Sequence, residues 1–339
     1  MIDRKLRVAI NGFGRIGRST LKALLKDERV EVVAINDLTD NKTLAHLLQY
    51  DSCYGKYEKT VDFNEDYLII AGQKFLTLAE KDPSLLPWEK LAVDVVIEST
   101  GRFTKAEDAM AHIKAGAKKV IISAPAKDET TKNIVLSVNE QDLLASDQVI
   151  SMASCTTNCL APVTKVLTEK LGIKKAVMST IHAYTADQNL VDGPHKDLRR
   201  ARSAALSIVP TTTGAAAAVA KTIPVMNGCF DGLAFRVPTP VVSLCDVTMV
   251  TERPTSVEEI NDLLTVAASQ DKFGALTVTT EPLVSIDFTG NPASSIVDLG
   301  LTKVVDGDLV KIVAWYDNEW GYSHRLADLC SYIADNDLL

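Results

Sequence analysis

A cysteine at the beginning of a predicted helix is the residue of this chain with the clearest chemistry. Cys155 follows Ser154, a favourable N-cap residue, and apolar residues then recur with a helical period from Leu160 to Leu171. Cys155 should therefore lie in the first helical turn, where unpaired backbone amides and the helix dipole favour an anion. Because the thiolate is the reactive form of cysteine, this position should lower the thiol pKa. The pattern predicts a nucleophilic cysteine.

A cysteine nucleophile needs a base that is distant in sequence and adjacent in space. His182 ends the predicted strand 176–181 and is followed by the polar residues Thr185, Asp187 and Gln188. A histidine at a strand end is more often a surface group, but the other four histidines lack a comparable polar setting. We therefore predict that His182 is the base for Cys155.

The remaining cysteines favour structural roles, because cysteine is among the most buried residue types. Cys159 lies one helical turn after Cys155 and is interpreted as a packed thiol rather than a disulfide partner. The sequence contains no CxxC pair, so we predict no metal site.

The overall composition indicates an ordinary globular protein large enough for two domains. The chain has 339 residues, 46% hydrophobic and 24% charged, and its formal net charge of −8 disfavours general nucleic-acid binding. No apolar stretch is long enough to span a bilayer, and residues 1–5 lead into a strand-like segment without a signal-peptide core. We expect a cytoplasmic location and no specific nucleic-acid or membrane partner.

The first half of the chain has the pattern of a dinucleotide-binding domain. A short apolar strand leads into a GxGxxG motif formed by Gly12, Gly14 and Gly17, and a helical pattern and a second strand follow. The glycines permit a tight turn, close approach of the backbone to a pyrophosphate, and close helix–strand packing. Asp37 follows Gly17 by twenty residues, where it can hold a ribose 2′-hydroxyl and would repel a 2′-phosphate. The pattern favours NAD over NADP.

Further α/β units extend this domain. The predicted strands 93–98 and 119–123 are almost continuously apolar, as expected in a parallel sheet covered on both faces. Thr104–Glu107 has the pattern of a capping box that opens a helix between them. Loops at the carboxyl ends of such strands line the ligand crevice. The crevice candidates are Asn36, Asp37, Ser99, Thr100, Gly101 and Ser123.

The second half contains more strands than helices, which indicates a different layer architecture. We predict an α/β protein in which a Rossmann-like, doubly wound domain, residues 1–154, precedes an α+β domain, residues 155–317. The second domain should contain a mixed, largely antiparallel sheet. A final helix within 318–339, with Leu326, Leu329 and Ile333 on one face, is predicted to complete the first domain.

Two groups of residues could bind phosphate in the second domain. The segment Thr211–Gly214 precedes an alanine-rich helix and offers hydroxyls and amides to an anion. Arg236 and the arginines of 199–202 add cations suited to bidentate phosphate contacts, although the arginine run could instead form salt bridges at a subunit contact. An NAD site combined with a nucleophilic cysteine suggests aldehyde oxidation through a thioester. The phosphate cradle favours phosphorolysis of that thioester over hydrolysis.

Taken together, the motifs resemble those of the phosphorylating glyceraldehyde-3-phosphate dehydrogenases, NAD-dependent glycolytic enzymes of bacterial type, over essentially the whole chain. The matching segments are Asn11–Arg18, Ser154–Cys159, His182–Thr185, Asp197–Arg202, Thr211–Ala216, Arg236–Pro238 and Trp315–Tyr322. The resemblance implies that Cys155 attacks D-glyceraldehyde 3-phosphate, that His182 is its partner base, and that inorganic phosphate releases 1,3-bisphosphoglycerate.

The same resemblance implies the binding residues. Arg15 and Ile16 would contact the cofactor pyrophosphate, Asp37 the adenosine ribose, and Asn318 the nicotinamide amide. The full cofactor set is Gly12, Gly14, Arg15, Ile16, Gly17, Asp37, Lys81, Thr100, Ser123, Asn318 and Tyr322. The implied residues for the substrate phosphate are Thr185, Asp187 and Arg236, and those for the attacking phosphate are Ser154, Thr156, Thr213 and Gly214. Arg200 is expected near these sites, with its neighbour Arg199 as an alternative.

Two positions depart from the family pattern. Ala217 stands where a lysine is common, and Gly193 stands where a leucine often precedes the proline matched by Pro194. The second change leaves the strictness of NAD over NADP open, but we expect NAD because Asp37 and Pro194 are present. The segment 183–206 resembles the loop that meets a neighbouring subunit's cofactor site in this family, so the resemblance implies a homotetramer.

Two other functions are compatible with parts of this pattern. A related enzyme that oxidises erythrose 4-phosphate shares the cysteine and the cofactor fold but generally lacks a strong inorganic-phosphate site, so Thr211–Gly214 disfavours it. A binding protein that uses the fold as a scaffold would not need all the reacting groups that are present here.

Overall fold

A computed structural model describes residues 4–339, so the first three residues of the predicted domain 1–154 lie outside the described part of the chain. The chain forms two compact units. The first unit comprises the chain up to Ile134, Gln141–Ala153 and Ser323–Leu339, and the second comprises Val135–Glu140 and Ser154–Tyr322.

The first unit is built on a largely parallel sheet. Its strands are β1 (Leu6–Asn11), β2 (Val30–Asn36), β3 (Tyr50–Asp51), β4 (Gly55–Lys56), β5 (Val61–Phe63), β6 (Tyr67–Ile70), β7 (Gln73–Leu78), β8 (Val95–Glu98), β9 (Lys119–Ile122), β10 (Lys132–Asn133) and β11 (Val149–Ser151). The sheet has the order β10-β11-β9-β8-β1-β2-β7-β6-β5, and β3 and β4 form a separate hairpin. All pairs from β10 to β7 are parallel, and β5 and β6 add an antiparallel edge. This architecture confirms the predicted Rossmann-like fold.

The helices of the first unit include one whose start was predicted wrongly. They are α1 (Arg15–Leu24), α2 (Asn41–Gln49) and α3 (Ala106–Lys114). No side chain of a capping box caps α3; instead the Ala106 amide donates to the Asp128 carboxylate at 2.8 Å. Because Asp128 lies far along the chain from Thr104, the local capping-box pattern could not predict this cap.

The second unit contains a mixed sheet, as predicted. Its strands are β12 (Ile173–Ala183), β13 (Val209–Thr212), β14 (Phe230–Val237), β15 (Ser243–Thr251), β16 (Leu276–Thr279), β17 (Ser295–Asp298), β18 (Lys303–Val305) and β19 (Leu309–Tyr316). They follow the order β13-β14-β12-β15-β19-β17-β16, with β18 paired to β19. The pairs β12–β14 and β16–β17 are parallel, and the other pairs are antiparallel. The strand β13 was not predicted, and it contains the first threonines of the proposed phosphate cradle.

Three helices belong to the second unit, and a fourth returns to the first. They are α4 (Cys155–Leu171), α5 (Ala215–Thr222), α6 (Val257–Gln270) and α7 (Trp320–Asp335). From Ser323 onward α7 is part of the first unit, where Leu326, Leu329 and Ile333 are fully buried, as their spacing predicted. Within residues 4–339, we find no helix with the length and apolarity needed to cross a membrane.

Candidate active site

Cys155 is the first residue of α4, as predicted. The Ser154 hydroxyl caps this helix by accepting a hydrogen bond from the Thr157 amide at 3.0 Å. Burial raises the pKa of the Cys155 thiol to about 11, although the Arg236 charge and hydrogen bonds with Thr156 act in the opposite direction. The expected lowering of the thiol pKa is therefore not found, because burial outweighs the Arg236 charge and the Thr156 hydrogen bonds. The thiol needs a proton acceptor beside it.

The structure places His182 at that position. His182 is the penultimate residue of β12, and its Nε2 lies 3.5 Å from the Sγ of Cys155. Burial, reinforced by the Arg236 charge, lowers the pKa of His182 to about 3, so the imidazole is neutral. A neutral imidazole beside a thiol can accept its proton when the nitrogen that faces the sulfur carries none.

Arg236 contacts the other ring nitrogen of His182, Nδ1. The two residues are register partners on the parallel strands β12 and β14, and the Nη1 of Arg236 lies 2.6 Å from Nδ1 and 3.0 Å from the Ala183 carbonyl oxygen. Because a guanidinium only donates, Nδ1 accepts in this arrangement and Nε2 carries the proton. The Ala183 oxygen is itself 2.7 Å from Nδ1, which gives that nitrogen a second possible partner.

A buried hydroxyl network lies beside this pair and was missed by sequence reasoning. The Tyr316 hydroxyl is 2.9 Å from the hydroxyls of both Thr156 and Thr180, and its ring meets the His182 ring edge-on at 5.9 Å between centroids. Thr180 precedes His182 by two residues on β12, so alternation along the strand places both on one face. That alternation was the available sequence signal.

Asn318 is held by another residue that sequence reasoning did not nominate. The Ser243 hydroxyl donates to the Asn318 side-chain oxygen at 3.0 Å and accepts from the Ala183 amide at 3.1 Å. Because Oδ1 is the atom that accepts from Ser243, the Nδ2 donor of Asn318 is not used in this contact. Both Asn318 and Tyr322, predicted to contact the cofactor, are buried residues of the second unit.

The proposed phosphate cradle, Thr211–Gly214, directly precedes the first residue of α5. Gly214 is the N-cap residue of this helix and supplies no side-chain cap, while the Thr213 hydroxyl accepts from the Ala215 amide at 3.2 Å. Arg200 points toward the same segment, because its Nε donates to the Thr211 hydroxyl at 2.9 Å. Amides, a hydroxyl and a cation thus face one small region, which suits an oxyanion.

The structure separates the roles of the neighbouring residues. The guanidinium of Arg200 pairs with the carboxylate of Asp187, whereas Arg199 is exposed. Asp187 is therefore placed to orient Arg200 rather than to contact a phosphate directly. Thr185 is half-buried, and its amide donates to the Gln188 side chain at 3.3 Å. The Nε of Arg236 is buried and has no hydrogen-bond partner among the described residues.

In the first unit, a cavity of about 270 Å³ lies at the carboxyl ends of the parallel strands. It includes Gly12, Gly14, Asp37, Lys81 and Thr100 of the predicted cofactor set, together with Asn11, Asn36, Leu38, Glu80, Ser99, Arg102 and Phe103. Gly12 has a φ of +93°, and a Cβ there would lie 2.6 Å from the Thr100 amide nitrogen. Only glycine fits this turn. Ser123 is not among the residues that line the cavity.

The residues of this cavity fit a dinucleotide. The Asp37 carboxylate accepts from the Phe13 amide at 2.7 Å and the Thr39 amide at 2.9 Å, so it is fixed at the cavity edge. Gly14, the N-cap residue of α1, offers no side-chain cap, which leaves the first-turn amides, including that of Ile16, suited to a pyrophosphate. The Arg15 side chain instead pairs with Asp51 at 2.7 Å. Its predicted contact with the cofactor would therefore use the backbone.

Comparison with known proteins covers both units of the chain. Residues 6–106 match the family model for the NAD binding domain of glyceraldehyde 3-phosphate dehydrogenase, and residues 154–318 match the model for its C-terminal domain. The chain is 54% identical to the glyceraldehyde-3-phosphate dehydrogenase of Geobacillus stearothermophilus, with 98% of this chain and 99% of the relative aligned. It is 53% identical to the glyceraldehyde-3-phosphate dehydrogenase of Mycobacterium avium, with 97% of this chain and 98% of the relative aligned. The chain belongs to the glyceraldehyde-3-phosphate dehydrogenase family.

Membership in this family confirms the resemblance inferred from the motifs, the oxidoreductase class and NAD as the cofactor. The family models cover the segments that carry Gly12–Gly17 and Asp37 in one unit and Cys155, His182 and Arg236 in the other. Among residues 4–339, no group of three histidine, cysteine or acidic side chains could hold a metal ion.

Proposed function

We propose that this protein oxidises D-glyceraldehyde 3-phosphate and phosphorylates the product to 1,3-bisphosphoglycerate, with reduction of NAD, in glycolysis. The observation that carries the proposal is the contact of 3.5 Å between Cys155 Sγ and His182 Nε2, with the cationic side chains of Arg200 and Arg236 in the same unit. Bound NAD supplies the acceptor for the hydride that leaves the aldehyde carbon.

The oxidation begins when the Cys155 sulfur adds to the aldehyde carbon and the thiol proton passes to the aldehyde oxygen, which gives the hydroxyl of a hemithioacetal. We infer that Arg236 turns from His182 to the substrate phosphate, aided by Thr185. Once Nδ1 of His182 is released, the neutral ring loses its Nε2 proton to water and takes up a proton at Nδ1, where the Ala183 oxygen, 2.7 Å away, accepts the hydrogen bond. This arrangement leaves Nε2 unprotonated, so that it accepts the hydroxyl proton of the hemithioacetal as the hydride departs. The product of this step is a thioester on Cys155.

Phosphorolysis completes the cycle. Inorganic phosphate bound by Ser154, Thr156, Thr213 and Gly214, with Arg200 oriented by Asp187, attacks the thioester carbonyl. The carbon–sulfur bond breaks, and Cys155 leaves as the thiolate, which the nearby positive charges stabilise and which then takes back the proton held by His182 Nε2. The acyl phosphate is released.

We also propose that the protein acts in the cytoplasm as a homotetramer through the segment 183–206. This segment exposes large apolar side chains, including Leu190 at 67%, Leu198 at 81% and Leu206 at 86% exposure. Apolar side chains concentrated in one exposed segment favour a protein interface.

The proposal is tested by following NAD reduction with glyceraldehyde 3-phosphate, with and without inorganic phosphate, in the wild type and Cys155→Ser. We expect phosphate-dependent turnover that falls by at least about a thousandfold in the variant, because serine is a much weaker nucleophile at neutral pH. Cys229→Ser, a half-buried thiol of the same unit, is the matched control and should retain activity.

Other outcomes would change the assignment. Turnover without phosphate would indicate hydrolysis of the thioester, and faster turnover with erythrose 4-phosphate would indicate the sister enzyme. Full activity in Cys155→Ser would remove Cys155 as the nucleophile.

A further inference from the structure

A buried carboxylate that the mechanism does not use lies beneath the cofactor cavity. Glu98 is the last residue of β8 and is 2% exposed. Its Oε1 accepts from the amide of Thr100 at 2.8 Å and also from the Thr100 hydroxyl. Its Oε2 accepts from Asn11 Nδ2 at 2.6 Å and lies 3.1 Å from His112 Nε2. Four donors therefore converge on one carboxylate.

The tautomer of the His112 ring follows from its other neighbour. Trp88 Nε1 lies 2.9 Å from His112 Nδ1, and an indole N–H can only donate. Nδ1 is therefore an acceptor, and in the neutral ring the proton resides on Nε2, which faces Glu98. Both rings are fully buried, so this tautomer is held by a contact with no access to water.

The network continues to the neighbouring strand. Asn36 Nδ2 donates to Asn11 Oδ1 at 2.7 Å and to the Glu80 carbonyl at 2.8 Å, while the Glu80 amide donates to Asn36 Oδ1 at 2.8 Å. Asn11 precedes Gly12, Asn36 precedes Asp37, and Glu80 precedes Lys81. Hydrogen bonds thus connect the ends of β8, β1 and β2 with the loop after β7.

We propose that Glu98 is the positioning residue of the NAD site, where its four-donor network with His112 and Asn11 fixes the spacing of Gly12, Asp37 and Thr100 before the cofactor binds. This inference rests on the proposed function only in taking the cavity as the NAD site. A negative charge below a pyrophosphate site opposes anion binding by itself. The Glu98 carboxylate nevertheless suits this position, because it can accept all four hydrogen bonds and an amide cannot.

The decisive variant is Glu98→Gln, which keeps the side-chain shape and replaces one acceptor oxygen with a donor. That donor must face either Thr100 or the Asn11–His112 pair, so at least one buried donor loses its partner. We expect the Kd for NAD, measured by calorimetry without substrate, to rise by about tenfold or more. Glu31→Gln removes a partly exposed carboxylate from the same unit and should leave the Kd within about twofold.

A double variant separates hydrogen-bond complementarity from general damage to the fold. Asn11→Asp restores an acceptor opposite the amide that Glu98→Gln introduces, and His112 Nε2 lies only 3.4 Å from the Asn11 side chain. Glu98→Gln combined with Asn11→Asp should therefore bind NAD more tightly than the sum of the two single effects predicts, by about tenfold. Additive effects would overturn the proposal, because they would show no coupling between these side chains.

Hydrogen exchange in the wild-type protein tests the proposal without depending on whether any variant folds. If Glu98 fixes the loop, the Thr100 amide should already be protected without NAD, and NAD should add little. An amide that exchanges freely until NAD binds would overturn the proposal, as would normal NAD affinity in Glu98→Gln. A wild-type protein with no NAD affinity would instead contradict the proposed function, which keeps the two failures distinct.

Discussion

Arg199 and Arg200 are adjacent in sequence, yet only Arg200 faces the threonine segment. Sequence reasoning left both possible, because an irregular segment has no fixed side-chain period. The structure distinguishes them through the contacts of Arg200 with Thr211 and Asp187. A bidentate guanidinium at this position would hold inorganic phosphate during attack on the thioester.

Replacing this cation should weaken phosphate binding selectively. Arg200→Gln should raise the KM for inorganic phosphate by about tenfold or more, since charged hydrogen bonds contribute about 1.5–3 kcal/mol. Initial rates at varied phosphate and saturating NAD measure this effect. Arg199→Gln should raise the same KM much less, and the reverse ranking would contradict the assignment.

Residue types and spacing predicted that Cys155 and His182 meet, but not the electrostatics of this pair. The N-cap and the helical period placed Cys155, and the need for a distant base selected His182. Burial, which raises the pKa of the thiol, depends on the packing of the second unit and is not encoded near Cys155. The contacts of Ser243 with Asn318 and of Tyr316 with Thr180 join residues far apart in sequence, so no local pattern revealed them.

At the level of elements, periodicity predicted the long strands and helices well. Short strands such as β13 and β16 have four residues each, too few for a clear alternation. The cap of α3 was predicted wrongly because Asp128 supplies it from a distant loop. Element ends depend on such tertiary partners more than element centres do.

The final helix shows how one tertiary contact stabilises an element. Asp27, after α1, accepts a hydrogen bond from Ser331 of α7 and pairs with Arg29, which also contacts Asp335 at 2.5 Å. Burial alone would raise the pKa of Asp27, but the hydrogen bonds from Arg29 and Ser331 outweigh it and lower the pKa to about 2. The ionised carboxylate therefore stabilises the folded first unit.

The pH dependence of this contribution has a defined sign. Because the folded pKa lies below the unfolded value, the stabilisation is present above about pH 4 and is lost as the pH falls from about 4 to 2. Asp27→Asn should lower the free energy of unfolding at pH 7 by about 1 kcal/mol, allowing for partial exposure. Denaturant titrations at several pH values should show the difference shrinking toward pH 2. Glu28→Gln, an exposed neighbour, is the control; a pH-independent difference for Asp27→Asn would contradict this explanation.

At the scale of the whole molecule, the exposed apolar segment 183–206 is the feature that a single chain does not explain. Charge and composition predicted a globular protein, but they gave no information on assembly. The homotetramer was inferred from the resemblance, and the exposure of Leu190, Leu198 and Leu206 supports it. Subunit contacts of this kind bury apolar side chains that the monomer leaves in water.

A charge within this segment should weaken the assembly. Leu198→Glu should shift the mass measured by sedimentation equilibrium toward smaller species at micromolar concentration, because an unpaired charge would be buried at the contact. Ile286→Glu changes a side chain of similar exposure, 70%, outside the segment and should leave the mass unchanged. A wild-type protein that sediments as a monomer would contradict the proposed homotetramer.

The return of α7 to the first unit has a consequence for the order in which the protein matures on the ribosome. Synthesis proceeds from the N-terminus, and domains generally fold as they emerge. The first unit begins the chain, yet it lacks the buried face of Leu326, Leu329 and Ile333 until 154–322 have been translated. The second unit is therefore complete in sequence before the first. A nascent chain halted before Ser323 would hold the proposed nucleophile and its proposed base but only an unfinished dinucleotide domain.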